Sequence, residues 1–168
     1  LYVTHDQREA TALGDRLAIM RAGRIEQVGT YADLYRRPVN LFVAEFLGLP
    51  PMNTFPGYVT DRGGWAGDDL KWPTIRPGLD EGQRVTLGIR PEHISLQASP
   101  DAIPALVDLV EPLFSERAKL LHTTIGPATH CTVRAEADVV VQTGETVPLM
   151  FDTEELHLFD SKTGRRLT

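Results

Sequence analysis

The sequence predicts a mainly β chain, a small barrel or sandwich of short strands preceded by a short α/β segment. Three observations predict it. Helix-capping signals and apolar residues at helical spacing are concentrated in the first fifty residues. The stretch LPPMNTFPG, residues 49–57, then sets three prolines and a glycine within nine residues and reads as a boundary. Beyond it, short apolar runs alternate with the turn-rich pieces DRGGWAGDD, RPGLDEGQ, QTGET and KTGR, as in small all-β domains.

Taken in order, Leu1–Val3 reads as the end of a strand. A helix follows, with Asp6 as N-cap and Glu9 three residues on, an overlapping Thr4 and Gln7 pair, and Gly14 as a stop. Arg16–Met20 and RIEQVG form a hairpin across the RAGR turn at Gly23. TYADLYRRP is a short helix capped by Thr30 and closed before Pro38. NLFVAEFLG is another, capped by Asn40, stopped by Gly48 and apolar on most sides, which calls for burial between elements. The strands expected beyond the boundary are Phe55–Thr60, Gln83–Arg90, His93–Gln97, Ile103–Phe114, Ala118–Ile125, Thr129–Ala135 and Thr146–Phe151. The two tryptophans, Trp65 and Trp72, sit in an acidic insert and are expected to cover the barrel from a hairpin.

Composition narrows the function classes. At 168 residues and 42% hydrophobic, the chain can bury a core, and no apolar run approaches the ~20 residues that span a bilayer. The single Cys131 forms no internal disulfide, which fits a reducing compartment. Residues 1–50 hold six basic and six acidic side chains, so the net charge of −6 lies wholly after residue 50. An acidic barrel is a poor partner for a phosphate backbone, and no nucleic-acid partner is expected.

His5, at a strand end before a helix, reads from the residues alone as either a helix-capping side chain or one piece of a larger active site. The wider sequence bears on that choice. VTHDQREATALGDRLAIMRAGRIEQVGT resembles the segment after the Walker B strand of ABC-transporter ATPases. LYRRPVNLFVAEFLGLPPMN is similar to the continuation in the carbohydrate-importer branch, the maltose and glycerol-3-phosphate importer ATPases. GIRPEHISL and LHLFDSKTGRRL resemble signatures of the transport-associated OB (TOBE) domain appended to them.

The resemblance implies a carboxyl-terminal portion of an importer ATPase for sugars or sugar phosphates. Residues 1–48 would be the end of the nucleotide-binding domain, and 49–168 a dimerising, regulatory OB-type barrel. It makes His5 the switch histidine that reaches the γ-phosphate in the full-length parent, a role suited to an imidazole that donates to a phosphate oxygen. ATP and Mg would serve that parent, with membrane-spanning permease subunits and a second copy as partners, at the cytoplasmic inner face of the membrane. No Gly-x-x-x-x-Gly-Lys-Ser/Thr loop occurs in these residues, so the chain by itself is expected neither to bind nor to hydrolyse ATP.

Several other residues invite two readings. Arg90, Pro91, Glu92 and His93 match a family motif and are expected to build a structural corner, Glu92 accepting from backbone amides or pairing with Arg90. No metal site is expected at His93, because no second His or Cys lies at ligand spacing. His122, His130 and His157 fall on separate stretches. Arg165 and Arg166 end either a partner-contact surface or a solvated hairpin. Phe114 stands where relatives carry glycine, so the Leu113–Arg117 turn takes another shape or the strand runs through. An alternative function, an OB-type sensor of an oxyanion or sugar, would gather cations such as Arg90 and Arg117 in the barrel loops.

Overall fold

The computed structural model describes residues 1–75 and 78–167. Arg76 and Pro77, which begin the expected turn RPGLDEGQ, and Thr168, the last residue of the expected second unit, lie outside the described residues.

The first part contains α1 (Gln7–Leu13), the hairpin β1 (Leu17–Arg21) and β2 (Arg24–Gly29), then α2 (Tyr31–Arg36) and α3 (Leu41–Phe46). The caps act as the sequence predicts. Asp6 accepts from the amides of Arg8 and Glu9, Thr30 and Asp33 form a reciprocal capping box, and Asn40 accepts from Val43. The β1–β2 turn places Ala22 and Gly23 at positive φ, as a two-residue hairpin requires. Leu1–Val3 is not a strand: it has no ladder partner among the described residues, and all three side chains are exposed. Ile19, Leu34, Val43 and Leu47 form a small core of their own.

The second part is the mainly β region. It contains β3 (Asn53–Val59), β4 (Trp65–Ala66), β5 (Lys71–Trp72), β6 (Arg84–Ile89), β7 (Ile94–Ser95), β8 (Ile103–Leu113), β9 (Ala118–Ile125), β10 (Thr129–Glu136), β11 (Thr146–Phe151) and β12 (His157–Asp160). They build two antiparallel five-stranded sheets, ordered β10-β9-β8-β11-β7 and β12-β6-β3-β4-β5, which enclose one core from Phe55 to Leu158. The Asn53 side chain links the sheets. Its amide donates to the Thr132 carbonyl at 2.8 Å and accepts from the Thr132 N–H at 2.8 Å, so it pairs with β10 as a strand would.

Three departures from expectation have local causes. The run expected over His93–Gln97 shrinks to β7, because Pro91–His93 form a 3-10 turn. The strand does not run through Phe114. Phe114–Glu116 make a 3-10 turn, positive φ passes to Arg117, and Phe114 stands 91% exposed at the hairpin tip. β12 is an added strand, antiparallel to β6, where a terminal hairpin alone was expected.

The terminal hairpin is present, with Arg166 bridged to Phe159 and Arg165 exposed, and its backbone also returns to the first part. The Leu41 N–H donates to the Gly164 carbonyl at 2.8 Å and the Arg166 N–H to the Val39 carbonyl at 3.0 Å.

Candidate functional site

The GIRPEH residues lie where the helices meet the barrel. Arg90 follows the end of β6 at Ile89, and Pro91 turns the chain away from the strand. The outer side of β3, β6 and β12 carries Met52 and Phe159, which pack with Ala44 and Leu41 of α3. Gly88 lies between them, since a Cβ there would stand 2.5 Å from the Met52 sulfur. Arg90 points into this junction and is 1% exposed.

Its guanidinium is used by backbone. Nη1 donates to the carbonyls of Ala44, at 2.9 Å, and Leu47, while Nη2 donates to that of Tyr35 at 3.2 Å. The carbonyls of Ala44 and Leu47 belong to the C-terminal end of α3, where helices leave acceptors unsatisfied and favour a cation. The guanidinium carbon also lies 3.9 Å from the centre of the Tyr35 ring. Burial lowers the pKa of Arg90, opposed by the neighbouring Tyr35, Glu92 and Tyr31.

Glu92 corrects the expectation set for it. It accepts from the Tyr35 hydroxyl at 2.5 Å rather than from backbone amides or from Arg90. Burial first, and this bond second, push the Tyr35 phenol well above its ordinary value, so it stays a donor. Pro91 is buried beneath the turn, and His93 lies 3.7 Å from Glu155.

Of the remaining histidines, His157 lies within electrostatic reach of His93. His122 and His130 share the outer face of β9 and β10. There His122 bonds Glu111 at 3.1 Å, and Thr124 bonds both Asp108, at 2.7 Å, and His130, at 3.1 Å. Among the described residues no group of three or more His, Cys, Asp or Glu could hold a metal ion. Burial pushes the Cys131 thiol up to about 12, which leaves it unreactive.

His157 is 5% exposed beside Phe159, and its Nδ1 has no hydrogen-bond partner among the described residues. Burial, and then the charges of Arg166, Arg90 and His93, lower its pKa from 6.5 to about 4. It therefore folds as the neutral ring. Its contribution is fully present above pH 6.5 and is lost as pH falls from there towards about 4. The shift predicts a loss of about 3 kcal/mol by the end of that window. Urea denaturation at pH 7 and pH 4.5 reads it, and His157→Phe should flatten the difference between the two.

His5 lies in an exposed bend just before α1, apart from the Arg90 corner. It does no capping, because Asp6 fills that place. Gln7, read from the sequence only as part of a capping pair, reaches across instead. It donates to the Phe46 carbonyl at 2.5 Å and accepts from the Gly48 N–H at 3.0 Å. Tyr35 and Gly48 likewise had no site role in the sequence reading. Nothing local could reveal these partners, which stand about forty residues or more away in the chain.

Residues 48–94 match the MalK OB fold domain, and residues 87–159 match the TOBE domain. The chain therefore carries OB-fold and TOBE domains, and over its length it is similar to part of several import ATP-binding proteins. The two matches overlap over 87–94, the stretch that contains the Arg90 corner. Among relatives, the chain is 40% identical to the sn-glycerol-3-phosphate import ATP-binding protein of Agrobacterium fabrum, over 99% of this chain and 45% of that protein. It is 38% identical to the xylose/arabinose import ATP-binding protein of Haloferax volcanii, over 99% of this chain and 45% of that one. With the trehalose import ATP-binding protein of Mycobacterium tuberculosis it shares 38% identity, over 100% of this chain and 51% of that one. The chain thus spans about half the length of the curated relatives it matches.

A solved structure of the cytoplasmic molybdate-binding protein ModG, with molybdate bound, superposes at a TM-score of 0.50. It is 13% identical and covers 63% of this chain and 94% of that one, a likeness of fold. The cations an oxyanion sensor would gather are not brought together here. Arg90 is buried on carbonyls, and Arg117 is exposed at the β8–β9 tip.

Proposed function

We propose that this chain supplies the switch histidine and the dimerising, regulatory OB-type domain of the ATP-hydrolysing subunit of an importer for sugars or sugar phosphates. The observation that carries the reading is continuity. The similarity to import ATP-binding proteins covers 99% of the chain, through the His5 loop and the barrel alike. Residues 1–48 then belong to the nucleotide-binding domain and 49–168 to the regulatory domain, a division supported by their separate cores.

His5 supports its part by being exposed and free of the capping role. An imidazole there can donate to a terminal phosphate oxygen and steady the attacking water, which is how positioning lowers the barrier to phosphoryl transfer. His5 alone fits one phosphate contact. The remaining contacts to ATP and Mg fall to other parts of such a subunit. Exposed Leu106, Leu109 and Phe114 on and beside β8 offer apolar area for a second copy. Permease subunits are the partners on the membrane side, which places the assembly at the cytoplasmic inner face. No helix among the described residues is long and apolar enough to cross a membrane. Trp65 and Trp72 are buried, which leaves no stacking platform for nucleic-acid bases from that pair.

The test is His5→Ala in the importer ATPase that contains this region. ATP turnover is expected to fall about 100-fold or more, with ATP binding largely kept. Turnover near the unsubstituted value would remove the switch assignment.

A further inference from the structure

Gln7 ties the His5 loop and α1 to a distant part of the chain, and that attachment leads to the barrel. α1 buries none of its residues, so packing does not fix it. At seven residues it is also shorter than the roughly 12 that an isolated helix needs to persist in water. Gln7 supplies the hold. Its amide donates to the Phe46 carbonyl and accepts from the Gly48 N–H, which fixes both position and orientation.

The same stretch, Ala44 to Gly48, is gripped from the other side by Arg90 through the carbonyls of Ala44 and Leu47. Gly48 leaves no slack between the two grips. Its φ is +107°, and a Cβ there would stand 3.0 Å from Arg90 Nη1 and 3.2 Å from Tyr35 Cε2. Glu92, by holding the Tyr35 hydroxyl, sets the ring on which the guanidinium lies.

We infer that Gln7 is a positioning residue, through which the Arg90 corner of the barrel sets where the His5 loop stands. The inference rests on reading His5 as the switch histidine. A shift of the regulatory barrel would then reach the phosphate-facing loop by a short path: Glu92 to Tyr35 and Arg90, to the Ala44–Gly48 backbone, to Gln7, to His5. It makes the corner a route for regulating hydrolysis and not merely a fold-building turn.

NMR on the full 168-residue chain tests the linkage directly. In the unsubstituted chain the Gln7 side-chain amide signals should be displaced from free-glutamine positions, and residues 5–13 should show backbone order parameters near about 0.85. Gln7→Ala should drop those order parameters below about 0.6 while the signals of β8 and β9 stay in place. Arg90→Lys, which keeps the charge but loses the fork, should produce the same drop and return the Gln7 amide to its free position. If Arg90→Lys does not fold, Tyr35→Phe replaces it and should move the Gln7 amide in the same direction. An unmoved Gln7 amide in the folded Arg90→Lys or Tyr35→Phe chain overturns the inference.

In the ATPase, Gln7→Ala is expected to lower kcat several-fold with KM unchanged, the rate being normalised to the concentration of ATP-binding sites so that loss of folded protein does not imitate it. The His5→Ala measurement is independent of this linkage. If turnover survives His5→Ala while the Gln7 amide still answers to Arg90, the switch reading fails and the linkage stands. If His5→Ala abolishes turnover and the Gln7 amide is indifferent to Arg90, the reverse holds.

Discussion

Replacing Arg90 by methionine is expected to destabilise the chain by about 4 kcal/mol, in the range found when one partner of a buried charged network is removed. Methionine keeps most of the hydrocarbon stem, so the loss is polar. Two buried carbonyls, those of Ala44 and Leu47, and the half-buried one of Tyr35 lose their guanidinium donors. Each unsatisfied buried acceptor costs about 1–3 kcal/mol. The end of α3 loses its cation, and Tyr35 loses the guanidinium over its ring at 3.9 Å. Against these stands the desolvation of a guanidinium 1% exposed, which methionine avoids. The carbonyls decide the sign, because they remain buried when their donor has gone. With urea slopes of about 1–3 kcal/mol per molar, the midpoint should fall by about 2 M at unchanged slope. A methionine variant with the original midpoint would show that the corner is held by packing alone.

How much of this was legible in the sequence depends on whether a signal is local. β8 to β11 were readable because their apolar residues are bounded by Gly, Pro and Asp turns, and β9 and β11 match their expected limits residue for residue. The helix caps were readable because Asp6, Thr30 and Asn40 act on amides two or three residues away. β4 and β5 are two residues each, too short to show alternation, and only the tryptophans hinted that they cover the barrel. Leu1–Val3 has strand-like residues, but a strand needs a neighbour to complete its ladder. The GIRPEH corner was recognisable as a motif, while its chemistry was not. The burial of Arg90 depends on the carbonyls of residues 35, 44 and 47, and a one-dimensional pattern carries no sign of them. One clue was available: Arg90 closes the apolar run VTLGI, where a buried charge has to find acceptors. His157 gave less, since a histidine between leucines in LHLF suits a core or a surface equally well.

Trp65→Ala is the second large effect, a loss of about 3–5 kcal/mol, typical of deleting a buried aromatic side chain. The magnitude turns on whether the site can collapse, and the neighbouring glycines indicate that it cannot. A Cβ on Gly57 would stand 2.4 Å from Trp65 Cζ2, and one on Gly67 would stand 2.5 Å from its Cη2. The indole leaves no room for a side chain at either position, and at Gly57 the Ala66 carbonyl, 2.4 Å from such a Cβ, closes it as well, so neither has a side chain to swing into the hole. The other walls are fixed too. Trp72 packs against the ring at a centroid distance of 5.5 Å and is itself held by Phe151 at 5.3 Å. The indole N–H also donates to the Val85 carbonyl at 2.9 Å, which ties β4 across β3 to β6. Trp65→Phe separates the contributions, since it retains much of the apolar volume and loses the hydrogen bond, and about 1–2 kcal/mol is expected. Adding Gly67→Ala to Trp65→Ala should recover part of the loss, because the indole carbon at 2.5 Å is the nearest atom to its methyl and the Pro56 carbonyl, at 3.0 Å, has only to give by a few tenths of an ångström. In the unsubstituted chain the same Gly67→Ala change should destabilise by overpacking against the indole. That reversal of sign, read from urea midpoints of the four chains, is the decisive outcome. If Gly67→Ala has the same effect with and without the indole, the glycine slot does not explain why β4 holds to the barrel.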